Sequence, residues 1–573
     1  MSKTFSLRVW QLLAGALLFA AMQICASAQT ATSFTGPCPR FPAGILVPEP
    51  SNLYSQAGKL TVNLTYNTTT DSAGRTLYCF TTSTGIESPT LHVKPGDTLT
   101  VNVKNNLPAP TSAAAMAPTT NATLLCGAAT QDASSVNVHY HGTNTSPTCH
   151  SDEVIHTLIN SGQSFTYNIV FPVDEPPGLY WYHPHVHGLA ETAVQGGASG
   201  VIVVEGIQNV QPAVAGLPER ILIIRDQVLP ANSPPPGGAV PAWDLSVNYV
   251  PILYPKFQPA QLVMRPGEKQ FWRVSNSSAD TILDLQLRYD GVPQTLQIVG
   301  LDGVPTGSQD GTALGKLVPV THIRMPPASR AEFIVTGPST AVNNATLFTL
   351  SIDTGPDGDN DPQRPLINIR ADNNAAEPTL SEGPVSAAPG PQRFAGLATA
   401  TVNRTRVLYF SEDNPNSQFF ITVDGQTPVL FSPNNPPAIT TTQGSVEDWI
   451  IQNRTLENHE FHMHQIHFLL MERNGVPVSA AEQQFLDMVD VPYGSGAPPY
   501  PSVKVRMDFR GPDIGDFVYH CHILEHEDDG MMAIIRVLPA ANADDKTGAT
   551  PSARQPDPQP AALRKNSGAG PNY

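Results

Sequence analysis

Ten of the sixteen histidines fall into four tight clusters. His139-Tyr140-His141-Gly142 follows the run Val136-Asn137-Val138, and His183-Pro184-His185 follows Tyr180-Trp181-Tyr182. His459-Glu460-Phe461-His462-Met463-His464 forms a third cluster. His520-Cys521-His522 follows Asp516-Phe517-Val518-Tyr519, with His526 four residues on and Met531 five beyond that. In a strand, residues i and i+2 share a face at about 7 Å, while i+1 points the other way. Each His-x-His pair can therefore aim two imidazoles at one metal cluster. In His520-Cys521-His522 the imidazoles face one way and the sulfur the other. Such a segment joins a sulfur-bound metal to an imidazole-bound cluster through a few covalent bonds.

Ligand type narrows the metal. Two His, one Cys thiolate and a weak thioether make the ligand set of a blue-copper electron-transfer site, and His459, Cys521, His526 and Met531 supply it. The eight other clustered histidines bring no carboxylates and suit copper better than Mg, Ca or Mn. Eight imidazoles without a further Cys also make a poor structural zinc site. A single His-x-His on a strand is commonly surface decoration. Four clusters, one with a central Cys, are not explained that way. His92, His150, His156, His187, His322 and His467 stand outside these spacings and are read as structural.

Strands must position these residues, and the composition agrees. Only 14% of the 573 residues are charged, against about a quarter in an average soluble protein. The 56 Pro and 43 Gly are spread along the chain, between β-branched runs rich in Thr, Val and Asn. That profile excludes a helical bundle and indicates an all-β protein. One pattern recurs three times: Leu91-His92-Val93-Lys94-Pro95-Gly96 leads through an alternating strand to Asn105, and Leu262 to Gly267 leads to Asn276. Ile439 to Gly444 leads in the same way to Asn453. The glycines lie 171 and 177 residues apart, and each Asn follows its Gly by nine. Three matches at near-equal intervals indicate a repeated β-sandwich, with domains at 29–206, 207–385 and 395–540. Residues 381–392 read as a Pro/Gly/Ala linker, 108–129 as an Ala/Thr/Pro loop, and 541–573 as a disordered tail.

Residues 1–28 read as a secretory signal: Lys3 and Arg8 precede the apolar run Leu12 to Met22, and Ala26-Ser27-Ala28 forms the cleavage site. The mature protein is expected to be exported, to the periplasm or beyond, and free of membrane. An oxidising compartment permits pairing among Cys38, Cys79, Cys126 and Cys149, in an order the sequence does not determine. Cys521 has no partner nearby in sequence. The formal charge of −17 repels nucleic acid and anionic membranes, and favours neutral or cationic partners.

The four clusters, and above all HCHILEHEDDGMM at 520–532, resemble those of the multicopper oxidases, most closely the bacterial three-domain members. The resemblance covers about 29–540. It implies three cupredoxin-like Greek-key sandwiches, a monomer, and four coppers. His459, Cys521, His526 and Met531 would hold type 1 copper. His139 and His462 would hold type 2, and His141, His183, His185, His464, His520 and His522 the type 3 pair. The cluster would lie between the first and third domains, with the second a spacer that supplies no ligand and shapes the substrate face. A small donor would give electrons singly to type 1 copper, and O2 would be reduced to water at the cluster.

Four protons must also arrive, and Asp152 and Glu527 stand where similar proteins carry proton relays; the plain alternative for each is a solvated loop carboxylate. Phenols and arylamines are the expected donors, and Cu(I), Fe(II) or Mn(II) the alternative. A copper-binding or assembly protein is the reading from a different class. The 11 Met are scattered, which weighs against a cuprous oxidase, whose soft donors cluster. An axial Met531 implies a lower type 1 potential and easily oxidised donors. Asp487 and Asp490 are read first as ordinary strand-end carboxylates, with contact to a phenol or arylamine donor as the alternative.

Overall fold

The computed structural model describes residues 36–111, 125–308, 315–376, 378, 379 and 393–540. The signal, the 381–392 linker, the 541–573 tail and much of the 108–129 loop lie outside them. Among the described residues the regular secondary structure is almost entirely strand, and no helix is long and apolar enough to cross a membrane. The fold is three cupredoxin-like sandwiches, each closed over its own apolar core.

The repeat seen in the sequence marks the same corner in all three. Gly96, Gly267 and Gly444 have φ of 87°, 70° and 97°, a left-handed turn that glycine adopts without strain. The strands that follow, Thr98–Asn105, Lys269–Asn276 and Val446–Asn453, occupy equivalent places. Each pairs in parallel with an earlier strand (Lys59–Thr70, Glu219–Val228, Arg404–Asp413). Each pairs antiparallel with a later one (Ser164–Val170, Arg330–Thr336, Ser502–Asp508). The terminal Asn is fully buried in every case. Its amide donates to backbone carbonyls across the corner: Asn105 to Ser134 and Ile159, Asn276 to Thr281 and Met325, Asn453 to Glu457 and Val491. A buried polar backbone must find partners, and this side chain supplies them where the ladder ends.

The opposing sheets are equivalent too. In the first sandwich the order is Asn52–Tyr54, Thr90–Val93, Gly200–Val204, Gly178–His183, His139–His141. In the third it begins Ile439–Thr442, Met532–Leu538, Gly515–Cys521, His459–Met463. Counted from the strand that leads into the Gly turn (Thr90–Val93, Ile439–Thr442), the His-bearing strands are third and fourth in both. In the second sandwich those places belong to Ala345–Thr349 and Leu283–Tyr289, which carry neither His nor Cys. Cys38 pairs with Cys79 and Cys126 with Cys149, which resolves the order left open by the sequence. Cys521 is free and buried.

Candidate metal centres

Strand alternation builds the first centre on the core side of the third sandwich. The Nδ1 atoms of His459 and His526 lie 3.0 Å apart, and Cys521 Sγ is 3.7 Å from each. Met531 packs in the same apolar cluster as Cys521, whereas Met532 faces the other way, against Val518 and Ile534. Three contacts hold the ligands. The Glu460 amide donates to Cys521 Sγ at 3.3 Å, Thr455 Oγ1 sits 3.0 Å from His459 Nε2, and Phe419 stacks on His526 at 4.3 Å. Burial pushes the Cys521 thiol well above its ordinary range, so the sulfur keeps its proton until a cation replaces it.

Eight imidazoles converge between the first and third sandwiches, all of them buried. The Nε2 atoms of His185, His464 and His520 form a triangle with sides of 3.1, 3.2 and 3.3 Å. A triangle of that size has its centre about 2 Å from each corner, the usual bond length from imidazole nitrogen to a first-row metal. His139 stacks on His464 at 3.9 Å and His141 on His462 at 4.0 Å. Inward nitrogens of His139, His141, His183, His462 and His522 are buried without hydrogen-bond partners. Burial, reinforced by neighbouring imidazoles, pushes His141, His183, His185, His462, His464, His520 and His522 well below their ordinary range. Neutral imidazoles with orphaned lone pairs in a shared space are a metal-ligand set, and the residues fit copper.

The outer nitrogens are fixed by acceptors, which sets each tautomer. His183 and His520 reach the carbonyls of Pro184 and Cys521 at 2.8 Å, and His462 that of Asp487 at 2.8 Å. Asp152 Oδ1 lies 3.0 Å from His139 Nδ1 and accepts from the Tyr140 amide, while Oδ2 accepts from Gln465 at 2.8 Å. Glu527 stands 3.2 Å from His520 Nδ1 and 3.5 Å from His185 Nδ1, with neither carboxyl oxygen hydrogen-bonded. Burial pushes it well above the ordinary carboxyl range. Asp152 and Glu527 are 1% and 0% exposed, so the solvated-loop reading is overturned for both.

Asp487 and Asp490 are both held in ion pairs within the protein. Asp490 pairs with Arg324 and Arg473. Asp487 is fully buried, paired with Arg330 and 3.2 Å from His141 Nε2. The reading of the second sandwich as a spacer is refined in the same place. Arg330 from it holds Asp487 beside His141, and Asp302 from it accepts from the Asp487 and Met488 amides. Of the six histidines read as structural, His467 is buried with Nε2 3.5 Å from Asp487.

Beside His526 opens a hollow of about 150 Å³. Asp280, Asp357, Asp359 and Asp361 line it from the second sandwich, Glu457 and Glu525 from the third. Glu457 Oε1 lies 3.4 Å from His526 Nε2. Burial pushes Glu457 and Asp361 up to about 7.

Comparison with known proteins gives one family repeatedly. Residues 129–209 and 400–541 match family models described as multicopper oxidase. A laccase of Bacillus subtilis is 25% identical over 402 residues, covering 63% of this chain and 71% of its own. The multicopper oxidase Mco of Staphylococcus aureus is 23% identical, covering 78% and 81%. Among solved structures, a metallo-oxidase of Campylobacter jejuni superposes with a TM-score of 0.63 at 22% identity, over 87% of this chain and 96% of its own.

Proposed function

The chain belongs to the multicopper oxidase family and is a copper-dependent oxidoreductase with O2 as acceptor; we propose that its physiological donor is a cation that docks in the carboxylate hollow beside His526. Four coppers would be held as the resemblance implies. His459, Cys521, His526 and Met531 take the first, His139 and His462 the second, and the six remaining histidines the pair. When bound, copper supplies one-electron acceptance at the first centre and four-electron reduction of O2 at the second. The chain does the rest. Cys521 and its neighbours His520 and His522 link the centres covalently, Glu527 holds a proton beside His520 and His185, and Asp152 stands beside His139 as the second carboxyl of the relay.

One observation carries the choice of donor: six carboxylates surround the approach to His526. Buried acids held near neutrality are stabilised by a counter-cation. A metal ion such as Fe(II) or Mn(II), or an arylammonium, therefore fits better than a neutral phenol, and hard oxygen donors suit the metals. Phenol remains the second reading, on the laccase relative. Export is supported by the two disulfides. The boundaries 29–206, 207–385 and 395–540, and a monomeric state, are proposed on the repeat and the resemblance.

The test compares kcat/KM for Fe(II), Mn(II), Cu(I), an arylamine and a neutral phenol on one copper-loaded preparation. Asp357→Asn/Asp359→Asn should raise KM for the cations about tenfold and leave the phenol unchanged. If the phenol is the best donor and the variant alters nothing, the cation reading falls. If no donor drives O2 uptake, the protein is a copper-binding or assembly protein.

A further inference from the structure

We propose that Arg330 and Asp487 are positioning residues for His141, through which the second sandwich decides which nitrogen of that imidazole faces the metal cluster. The inference rests on the copper-cluster reading and adds two residues that are not ligands. Arg330 is fully buried and its guanidinium has an acceptor in every sandwich. Nε donates to Leu179 O at 3.2 Å in the first. Nη1 and Nη2 donate to Ala328 O and Asp302 O, both at 3.0 Å, in the second. In the third, Nη1 donates to Asp487 Oδ1 at 2.8 Å and Nη2 to Oδ2. This two-pronged grip fixes the carboxylate plane, which lysine cannot do.

A carboxylate only accepts. At 3.2 Å from Asp487 Oδ1, His141 Nε2 must carry the proton, so Nδ1 holds the lone pair. That Nδ1 is buried without a partner. The backbone of the same residue treats a second ligand differently. Asp487 O accepts from His462 Nδ1 at 2.8 Å, leaving Nε2 of that ring bare. Asp302 steadies the arrangement: its Oδ2 accepts from the amides of Asp487 and Met488 at 3.3 Å, and its Oδ1 from the Arg330 amide at 2.9 Å.

Gly142 shows that space is reserved for the pair. A Cβ there would lie 2.3 Å from Arg330 Nη2 and 2.5 Å from Asp487 Oδ2, at a φ of 82°. The glycine after His-x-His thus admits a guanidinium and a carboxylate belonging to two other sandwiches.

Asp487→Asn tests the idea. The two-pronged acceptor is lost in either amide orientation, because the NH2 must face one Arg330 donor, and where it takes the Oδ1 place it also meets His141 Nε2 and demands an acceptor there, which moves the proton to Nδ1. Copper-reconstituted Asp487→Asn should keep the blue thiolate absorption and lose about one copper per chain. The electron paramagnetic signal of an uncoupled ion should then replace the silent coupled pair. Glu332→Gln is the control. It weakens a buried pair with Arg273 and a contact to the Leu179 amide, yet touches no histidine, and should keep wild-type copper and spectrum. Wild-type copper and spectrum in Asp487→Asn would overturn the proposal, as would the same loss in Glu332→Gln. If Asp487→Asn does not fold, Arg330→Lys is read instead: partial loss of the coupled signal supports the proposal and full retention overturns it. Wild-type protein that assembles no cluster would sink the copper reading, and so is a separate result.

Discussion

His462 and His520 stand directly opposite each other across the antiparallel pair His459–Met463 and Gly515–Cys521, and the next rung opposes Phe461 to Cys521. Because side chains alternate, the first rung faces the cluster and the second the apolar core. Both centres are therefore built on one ladder. A slip of one residue would exchange the faces and destroy both at once.

Cys521→Ser should abolish the blue absorption and donor oxidation while the fold survives. The Glu460 amide keeps an oxygen acceptor, and the stability cost should be on the order of 1 kcal/mol, the scale of one altered hydrogen bond. Metal analysis should return about one copper fewer than wild type. A variant that stays blue would show that this sulfur is not the ligand.

Glu527→Gln should separate the two halves of the reaction. The carboxyl touches His520 and His185 but lies away from the donor hollow. Anaerobic bleaching of the blue band by donor should proceed at the wild-type rate, while O2 turnover falls by about 10²- to 10⁴-fold, the scale of one lost acid–base group. Asp152→Asn should act in the same half-reaction. A slowed bleaching step would place the acid in electron entry instead.

What could be read from the sequence was what is local in it. His-x-His spacing, the Gly turn and the buried Asn are set by period two and by one corner, so each leaves a short motif. Asp152 and Glu527 were legible as acids near ligands but not as buried ones, since burial depends on packing between sandwiches. Asp302 and Arg330 left no trace, and Asp487 was legible only as an acid near the donor site or at a strand end, not as a partner of Arg330. They come from separate parts of the chain and meet only when three sandwiches dock, and no spacing rule joins residues 157 positions apart.

Asp513 gives a pH test of that docking. Its carboxyl pairs with Arg393, which also reaches Asp174 in the first sandwich. Burial pushes Asp513 up to about 7 from an unfolded value near 3.8. The folded state thus holds a proton that the unfolded state has lost between those values, and wild-type stability declines as pH rises through that window, by up to about 1.4 kcal/mol per unit. Asp513→Asn has no such proton. Its melting temperature relative to wild type should move upward from about pH 4.5 to about pH 7 and level off beyond. A difference that does not change with pH would mean the acid is not buried as described.

Met531→Leu addresses the axial position. The side chain is fully buried in the cluster that holds Cys521, so a leucine of similar volume should cost less than about 1.5 kcal/mol. Removing a thioether donor destabilises Cu(II) relative to Cu(I), and the potential of the first centre should rise. Donors that are hard to oxidise should then react faster wherever electron entry limits turnover, and Fe(II), already easily oxidised, should gain little. A redox titration with an unchanged or lower potential would remove Met531 from the coordination sphere. Met532 could not replace it without turning the strand, since its side chain packs against Val518 and Ile534 on the opposite face.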